Sequence, residues 1–272
     1  MKNTLYLIFI IISCFSIKIR AQGLAIQPTR VVFEKKQIKT TIELINTGNK
    51  TKTYTVSFVQ KEMDENGVFT EIKTPGPNQM FSDKLLRIYP RRVTLNPGEG
   101  QIVMLQRKRN IVLNDGEYRS HLFFRAIEDK KPLSVKEDID TESIGVQITP
   151  LFGFSIPIIV RFGKVNATAT ITDLKIPDIK KPTLNFTVNR KGNVSVYGDL
   201  VVDYISDKGE CYTLANLRGI AVYTTIEKRF ISLKLNNKDN LDLTKGSLKL
   251  SYIKRDDNNK NVEIFDTATM LL

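Results

Sequence analysis

Between Ile144 and Phe162 the chain reads IGVQITPLFGFSIPIIVRF, and every even position from Val146 to Phe162 is apolar. The alternate positions include Gly145, Gln147, Thr149, Gly153, Ser155 and Arg161. Successive side chains of a strand point to opposite faces, so this period of two predicts a long β-strand with one apolar face. At ~3.3 Å per residue it would span roughly 60 Å, against about five or six residues for an ordinary strand. Two readings follow from that length. Either the strand bends and crosses into a second sheet around its own core, or part of its apolar face is offered to another protein.

Shorter runs of the same period fill the rest of the chain, separated by turn residues and with little helical periodicity, which predicts an all-β protein. Leu24 to Phe33 is expected as a first strand. Ile38, Thr40, Ile42 and Leu44 line one face of a second, turned at Asn46-Thr47-Gly48-Asn49. Tyr54, Val56 and Phe58 repeat the pattern, and Asn66-Gly67 is a hairpin signal because both residues tolerate positive φ. Thr74-Pro75-Gly76-Pro77-Asn78 interrupts regular structure, and strands resume at Leu85 to Tyr89, Gln101 to Arg107 and Tyr118 to Ile127. Strands at this spacing, with turns at Pro97-Gly98 and Asp115-Gly116, suggest an immunoglobulin-like sandwich. Glu128 to Ser143, EDKKPLSVKEDIDTES, is charged and poor in apolar residues, and reads as a loop that leads into the long strand.

Past Gly163 the alternation begins again with Val165, Ala167, Ala169 and Ile171. Further strands are expected at Leu184 to Asn189, Val194 to Tyr204, Ile220 to Thr224, Phe230 to Leu235, Leu248 to Lys254 and Val262 to Phe265. The predicted organisation is a first β-domain over 22–163 and a second over 164–272, joined with almost no linker and therefore expected to touch.

The first 22 residues, MKNTLYLIFIIISCFSIKIRAQ, differ from the rest. A cation at Lys2, an apolar run from Leu5 to Ile17 and the small residue Ala21 have the layout of a secretory leader over 1–21, and the run is shorter than the ~20 residues of a membrane-spanning helix. Cleavage after Ala21 is the favoured processing; lipidation at Cys14 is the alternative. Export carries away Lys2, Lys18 and Arg20, so the formal charge falls from +12 to +9. A basic surface suits acidic partners, an acidic membrane surface or nucleic acid. Export and the lack of a recognition motif argue against nucleic acid.

Chemistry is thinly represented. His121 is the single histidine and Cys211 the only cysteine after the leader, so neither a disulfide within the mature chain nor a metal site at ligand spacing is expected. No serine stands in a Gly-x-Ser-x-Gly elbow and no glycine loop is built to cradle phosphate, so neither an enzyme nor a cofactor is expected. His121 falls inside a predicted strand, where a structural role is favoured.

Four segments carry a more specific signal: Pro28-Thr29-Arg30-Val31-Val32-Phe33, Tyr89 to Glu99 (YPRRVTLNPGE), Asp115 to Leu122 (DGEYRSHL) and Ser155 to Arg161 (SIPIIVR). In order and approximate spacing they resemble the periplasmic pilus-assembly chaperones of the PapD-like family, in a divergent branch. The second domain resembles that family only in size, position and β-character. The resemblance implies two immunoglobulin-like β-sandwich domains in an L-shaped arrangement, located in the periplasm. It also implies a chaperone that complements incomplete fimbrial or pilus subunits with a donated strand, and then works with an outer-membrane assembly platform. An incomplete sandwich exposes an apolar groove and unpaired edges, and a donated strand supplies both hydrogen bonds and side chains.

By position, Val146, Ile148, Phe152 and Phe154 would be the donors, while Ile156 to Val160 would serve the protein's own core. Arg30 matches the family arginine that grips the subunit's terminal carboxylate, and a guanidinium suits that group through paired N–H donors. The family's companion lysine falls on Pro157. Arg161 matches an arginine that ties the two domains together, and the acidic partner of that arginine falls on Ser120. An empty donor edge is expected to favour self-association. The alternative function is a secreted two-domain β-sandwich that serves as a structural or adhesive surface component.

Overall fold

A computed structural model describes residues 23–34, 37–76, 79–109, 111–127, 153–238, 240–255 and 263–272. Among these, regular structure is β apart from a 3₁₀ turn at Asp83–Leu85. The first ten strands are β1 (Leu24–Gln27), β2 (Val31–Phe33), β3 (Lys39–Asn46), β4 (Lys52–Met63), β5 (Phe69–Ile72), β6 (Leu86–Tyr89), β7 (Arg92–Leu95), β8 (Gly100–Arg107), β9 (Gly116–Ile127) and β10 (Gly153–Phe162). They form one sheet of order β1-β3-β8-β6 and another of order β2-β10-β9-β4-β5, with β7 paired to β4. Ile42, Leu44, Val103 and Leu105 from the first sheet meet Phe33, Tyr54, Leu122, Phe124, Ile158 and Val160 from the second in one core. This is a β-sandwich, and its inward faces are the apolar faces of the sequence alternation.

The expected continuous strand from Leu24 to Phe33 is broken in two. β1 pairs antiparallel with β3 in one sheet, and β2 pairs parallel with β10 in the other. The chain changes sheet across Pro28, Thr29 and Arg30. Pro28 has no N–H to carry a ladder forward, which ends the pairing at Gln27.

The remaining strands are β11 (Ala167–Lys175), β12 (Thr183–Gly192), β13 (Val196–Ile205), β14 (Cys211–Val222), β15 (Lys228–Lys234), β16 (Ser247–Lys254) and β17 (Ile264–Leu271). Their sheets have the orders β11-β12-β15 and β14-β13-β16-β17. Leu184, Phe186 and Val188 of one pack with Leu200, Val202, Leu250 and Tyr252 of the other in a second core. β14 begins at Cys211, well before the expected Ile220. Its register against β13 shifts at two places, and such irregularities interrupt the period of two by which a strand is recognised in sequence. Cys211 is an exposed free thiol.

A third apolar cluster joins the two sandwiches: Met63 and Ile159 from the first meet Ala221 and Tyr223 from the second.

Asn46 closes the turn after β3. Its buried side-chain amide donates to the carbonyls of Lys50 at 2.8 Å and Leu95 at 3.0 Å, and its Oδ1 accepts the Gly48 N–H at 2.9 Å. Asn46→Ala leaves these backbone groups without partners and is expected to cost about 2–3 kcal/mol, read as a lower urea midpoint at unchanged m-value.

Candidate functional site

The two flanks of β10 are unequally covered. On one side it pairs with β9 from Gly153 to Phe162; on the other, β2 covers only Ile158, Ile159 and Val160. The segment from Gly153 to Pro157 therefore has an open edge among the described residues. The direction of its free groups follows from β9. The Arg119 N–H donates to Met80 O at 2.7 Å, away from β10, so Arg119 and its register partner Ile159 form a pair that does not exchange hydrogen bonds. By alternation, Gly153, Ser155 and Pro157 turn their backbone groups to the open side, Pro157 with a carbonyl only.

Side chains on that edge divide by depth. Ile156, Ile158 and Val160 are buried in the core of the first sandwich, as their positions led one to expect. Phe154 is 40% exposed. With Leu24, Ile26, Thr29, Ser155 and Ile156 it lines a groove of about 290 Å³ between the edges of β1 and β10. A Cβ on Gly153, where the open edge begins, would meet the ring of Phe123, which would have to turn aside. Of the four expected donor residues, Val146, Ile148 and Phe152 lie outside the described residues, and Phe154 stands on the exposed end of the apolar face.

The opposite face of β10 turns toward the second sandwich, where cations gather. Arg30 stacks its guanidinium 4.2 Å from the centroid of the Tyr197 ring and donates to Tyr223 Oη at 3.3 Å and Ser195 Oγ at 3.4 Å. Lys61 reaches from β4 to donate to Ser155 Oγ at 2.8 Å. Arg119 is 4% exposed, lies 4.0 Å from the centroid of the Tyr223 ring, and donates through Nη2 to Lys61 O at 3.2 Å. Its Nη1 has no partner among the described residues, nor has Nδ1 of the buried His121. Burial, with Arg119, Lys61 and Arg30 following in that order, pushes the His121 pKa down to about 3. His121 is thus neutral at ordinary pH, held in β9 with its ring edge-on to Phe69 at 5.4 Å.

Arg161 joins the two sandwiches. Its Nε donates to Glu117 Oε2 at 3.2 Å, Nη1 to Glu34 Oε1 at 3.2 Å and Nη2 to Ser195 O at 2.9 Å. The same Glu117 oxygen accepts Ser195 N at 3.0 Å and Ser195 Oγ at 2.7 Å. The acidic partner is therefore Glu117 and not the position of Ser120. Register explains the correction, because Arg161 and Glu117 face each other across β10 and β9. Ser120 instead serves the first sandwich, its Oγ accepting the N–H groups of Ser82 at 3.0 Å and Asp83 at 3.1 Å.

No protein-family model matches the chain. No curated protein matches it. Among solved structures, a chain of the CsuC–CsuE chaperone-tip adhesion subunit pre-assembly complex from the archaic Csu pili of Acinetobacter baumannii aligns over 90% of this chain and 98% of its own, with TM-score 0.49 and 10% identity. The YadV chaperone aligns over 92% and 99%, with TM-score 0.46 and 13% identity. A chain of the Salmonella enterica complex of SafA pilin with the SafB chaperone aligns over 93% and 97%, with TM-score 0.46 and 11% identity.

Lys61, Arg119, Glu117, Tyr197 and Tyr223 were not legible as site residues. Glu117 lies within a motif read from sequence, yet only the pairing of β9 with β10 identifies its partner, and the distance in sequence between the two strands hides that register. Tyr197 and Tyr223 come from the second sandwich, whose contact with the first leaves no periodic mark.

Two outcomes are expected. Glu117→Ala, which leaves the Arg161 and Ser195 donors facing a void, should cost about 2–4 kcal/mol and speed tryptic cleavage after Lys164 between the sandwiches. A folded-state pKa depressed to about 3 means that the unfolded chain binds the His121 proton first. Its contribution to stability is then full above ~6.5, the ordinary histidine value, and is lost as pH falls toward the folded pKa. Urea midpoints measured between pH 3 and 7 should therefore fall less steeply for His121→Gln than for the wild type.

Proposed function

We propose that this chain is a periplasmic chaperone that holds fimbrial or pilus subunits by lending them the open edge of β10. The observation that carries this reading is the half-paired strand: among the described residues Gly153 to Pro157 has no neighbour on the side where β2 covers only Ile158 to Val160, beside the groove that contains Phe154. A segment added there gains main-chain hydrogen bonds from Ser155 and Gly153 and buries alternate side chains, the chemistry of strand addition. Val146, Ile148 and Phe152 continue the same alternation toward the N-terminus, and each such side chain buried contributes roughly 1.5–3 kcal/mol before ordering costs. The function is one of binding and needs no catalytic group. An outer-membrane assembly platform would receive the loaded subunit, and empty molecules would pair through the same edge.

In this reading the subunit's terminal carboxylate meets Arg30 at the cleft, with Lys61 as the second cation in place of the lysine that Pro157 replaces. Lys61 Nζ is already held beside the open edge by Ser155 Oγ, and the paired charges suit a carboxylate.

Affinity capture of periplasmic proteins with wild type and Phe154→Asp, read by mass spectrometry and followed by hydrogen exchange on the recovered complex, tests the proposal. The expected result is a small β-rich exported protein recovered with wild type and lost with the variant, together with slowed exchange at the Ser155 amide in the complex. Equal recovery with both proteins, or an unchanged Ser155 amide, would return the chain to the alternative of a secreted surface component.

A further inference from the structure

At the far end of β10 from its open edge lies a second groove, of about 320 Å³. Its apolar lining is Ile38, Leu85, Ile111, Leu113 and Phe162. Arg107, Lys108 and Arg109 complete the lining, with no acidic side chain among the described residues that form it.

The walls are held in place before anything binds. At the end of β8, the Arg107 N–H donates to Ile38 O at 2.7 Å and the Lys108 N–H to Leu85 O at 2.8 Å. Asn114, at the end of the stretch that carries Ile111 and Leu113, is held from β9: Tyr118 Oη accepts the Asn114 N–H at 2.9 Å and donates to Asn114 O at 3.3 Å. Leu113 packs on the core, whereas Ile38, Ile111 and Phe162 keep more than a third of their surface in solvent. An apolar hollow with a cationic rim is therefore presented on a basic chain, of formal charge +12 in full and +9 without the expected leader.

We propose that this groove docks an acidic segment of another protein, through one bulky apolar side chain set in the hollow and carboxylates on either side of it paired with Lys108 and Arg109. Charge complementarity selects the acidic flanks, because cations of one sign focus the opposite sign and suppress partners of their own. Concavity selects a peptide over an anionic membrane: a volume of this order accepts one or two side chains, while a bilayer surface needs apolar groups that project into it. The site is separate from the β10 edge and does not depend on the function proposed above.

Fluorescence anisotropy with the labelled peptide Asp-Glu-Phe-Asp-Glu tests it on the full chain. Binding should weaken by about tenfold or more in Lys108→Glu/Arg109→Glu and in Ile111→Asp, and by a similar factor when alanine replaces the peptide's phenylalanine. Phe154→Asp should leave it unchanged, which separates this site from the donor edge. No binding, equal binding of the alanine peptide, or indifference to both sets of substitutions would overturn the proposal. So would recovery of the protein on phosphatidylglycerol vesicles, abolished by the same substitutions, in the absence of peptide binding.

Discussion

The carboxylate of Glu117 is where the two sandwiches are joined. One of its oxygens accepts from Arg161 on the neighbouring strand and from both the N–H and the hydroxyl of Ser195 in the other half of the molecule. Its side chain is fully buried, and a charge taken out of water is tolerated only when its partners are well placed. Because the partners come from both halves, that requirement fixes one half against the other. The apolar cluster of Met63, Ile159, Ala221 and Tyr223 lies in the same interface, as do Arg30 and Arg119 stacked on tyrosine rings. The cleft face of β10 thus helps hold the molecule together, while its edge from Gly153 to Pro157 and the ring of Phe154 stay uncovered among the described residues.

The two halves of β10 differ because β2 covers so little of the strand. A three-residue parallel strand closes the sandwich where Ile158 to Val160 complete the core. Beyond it the ladder is left half made. Exposed edges invite association, and here the edge stands beside an apolar groove, with Lys61 brought to it from β4. Unpaired backbone, apolar surface and positive charge within a few residues give the first half of the strand a chemistry distinct from the second.

Much of this was readable from the chain, and the boundary of what was not has a physical cause. A period of two reports which face is buried, so the cores of both sandwiches and the internal role of Ile156 to Val160 could be read from local spacing. It does not report which strands lie side by side. Glu117 was overlooked for Arg161 because their meeting depends on register across a long connection. Lys61 and Arg119 were overlooked because they face a cleft, and a buried charge there looks in sequence like any surface residue. The first strand was expected to run through Pro28, where the missing N–H ends it, and the change of sheet that follows depends on β10, far along the chain.

β2 begins only at Val31, opposite Ile158 of β10, and this bounds the open edge. A strand laid along the open edge from the Gly153 side advances until it meets β2, and the last position before that, Pro157, offers an acceptor but no donor. The edge therefore has a built-in stop. Sliding by one residue would turn every guest side chain to the wrong face, and a fixed stop at one end suppresses such slippage. For a guest strand of the kind proposed above, the edge would then act as a gauge, admitting it in the single frame that brings its alternate side chains to the groove.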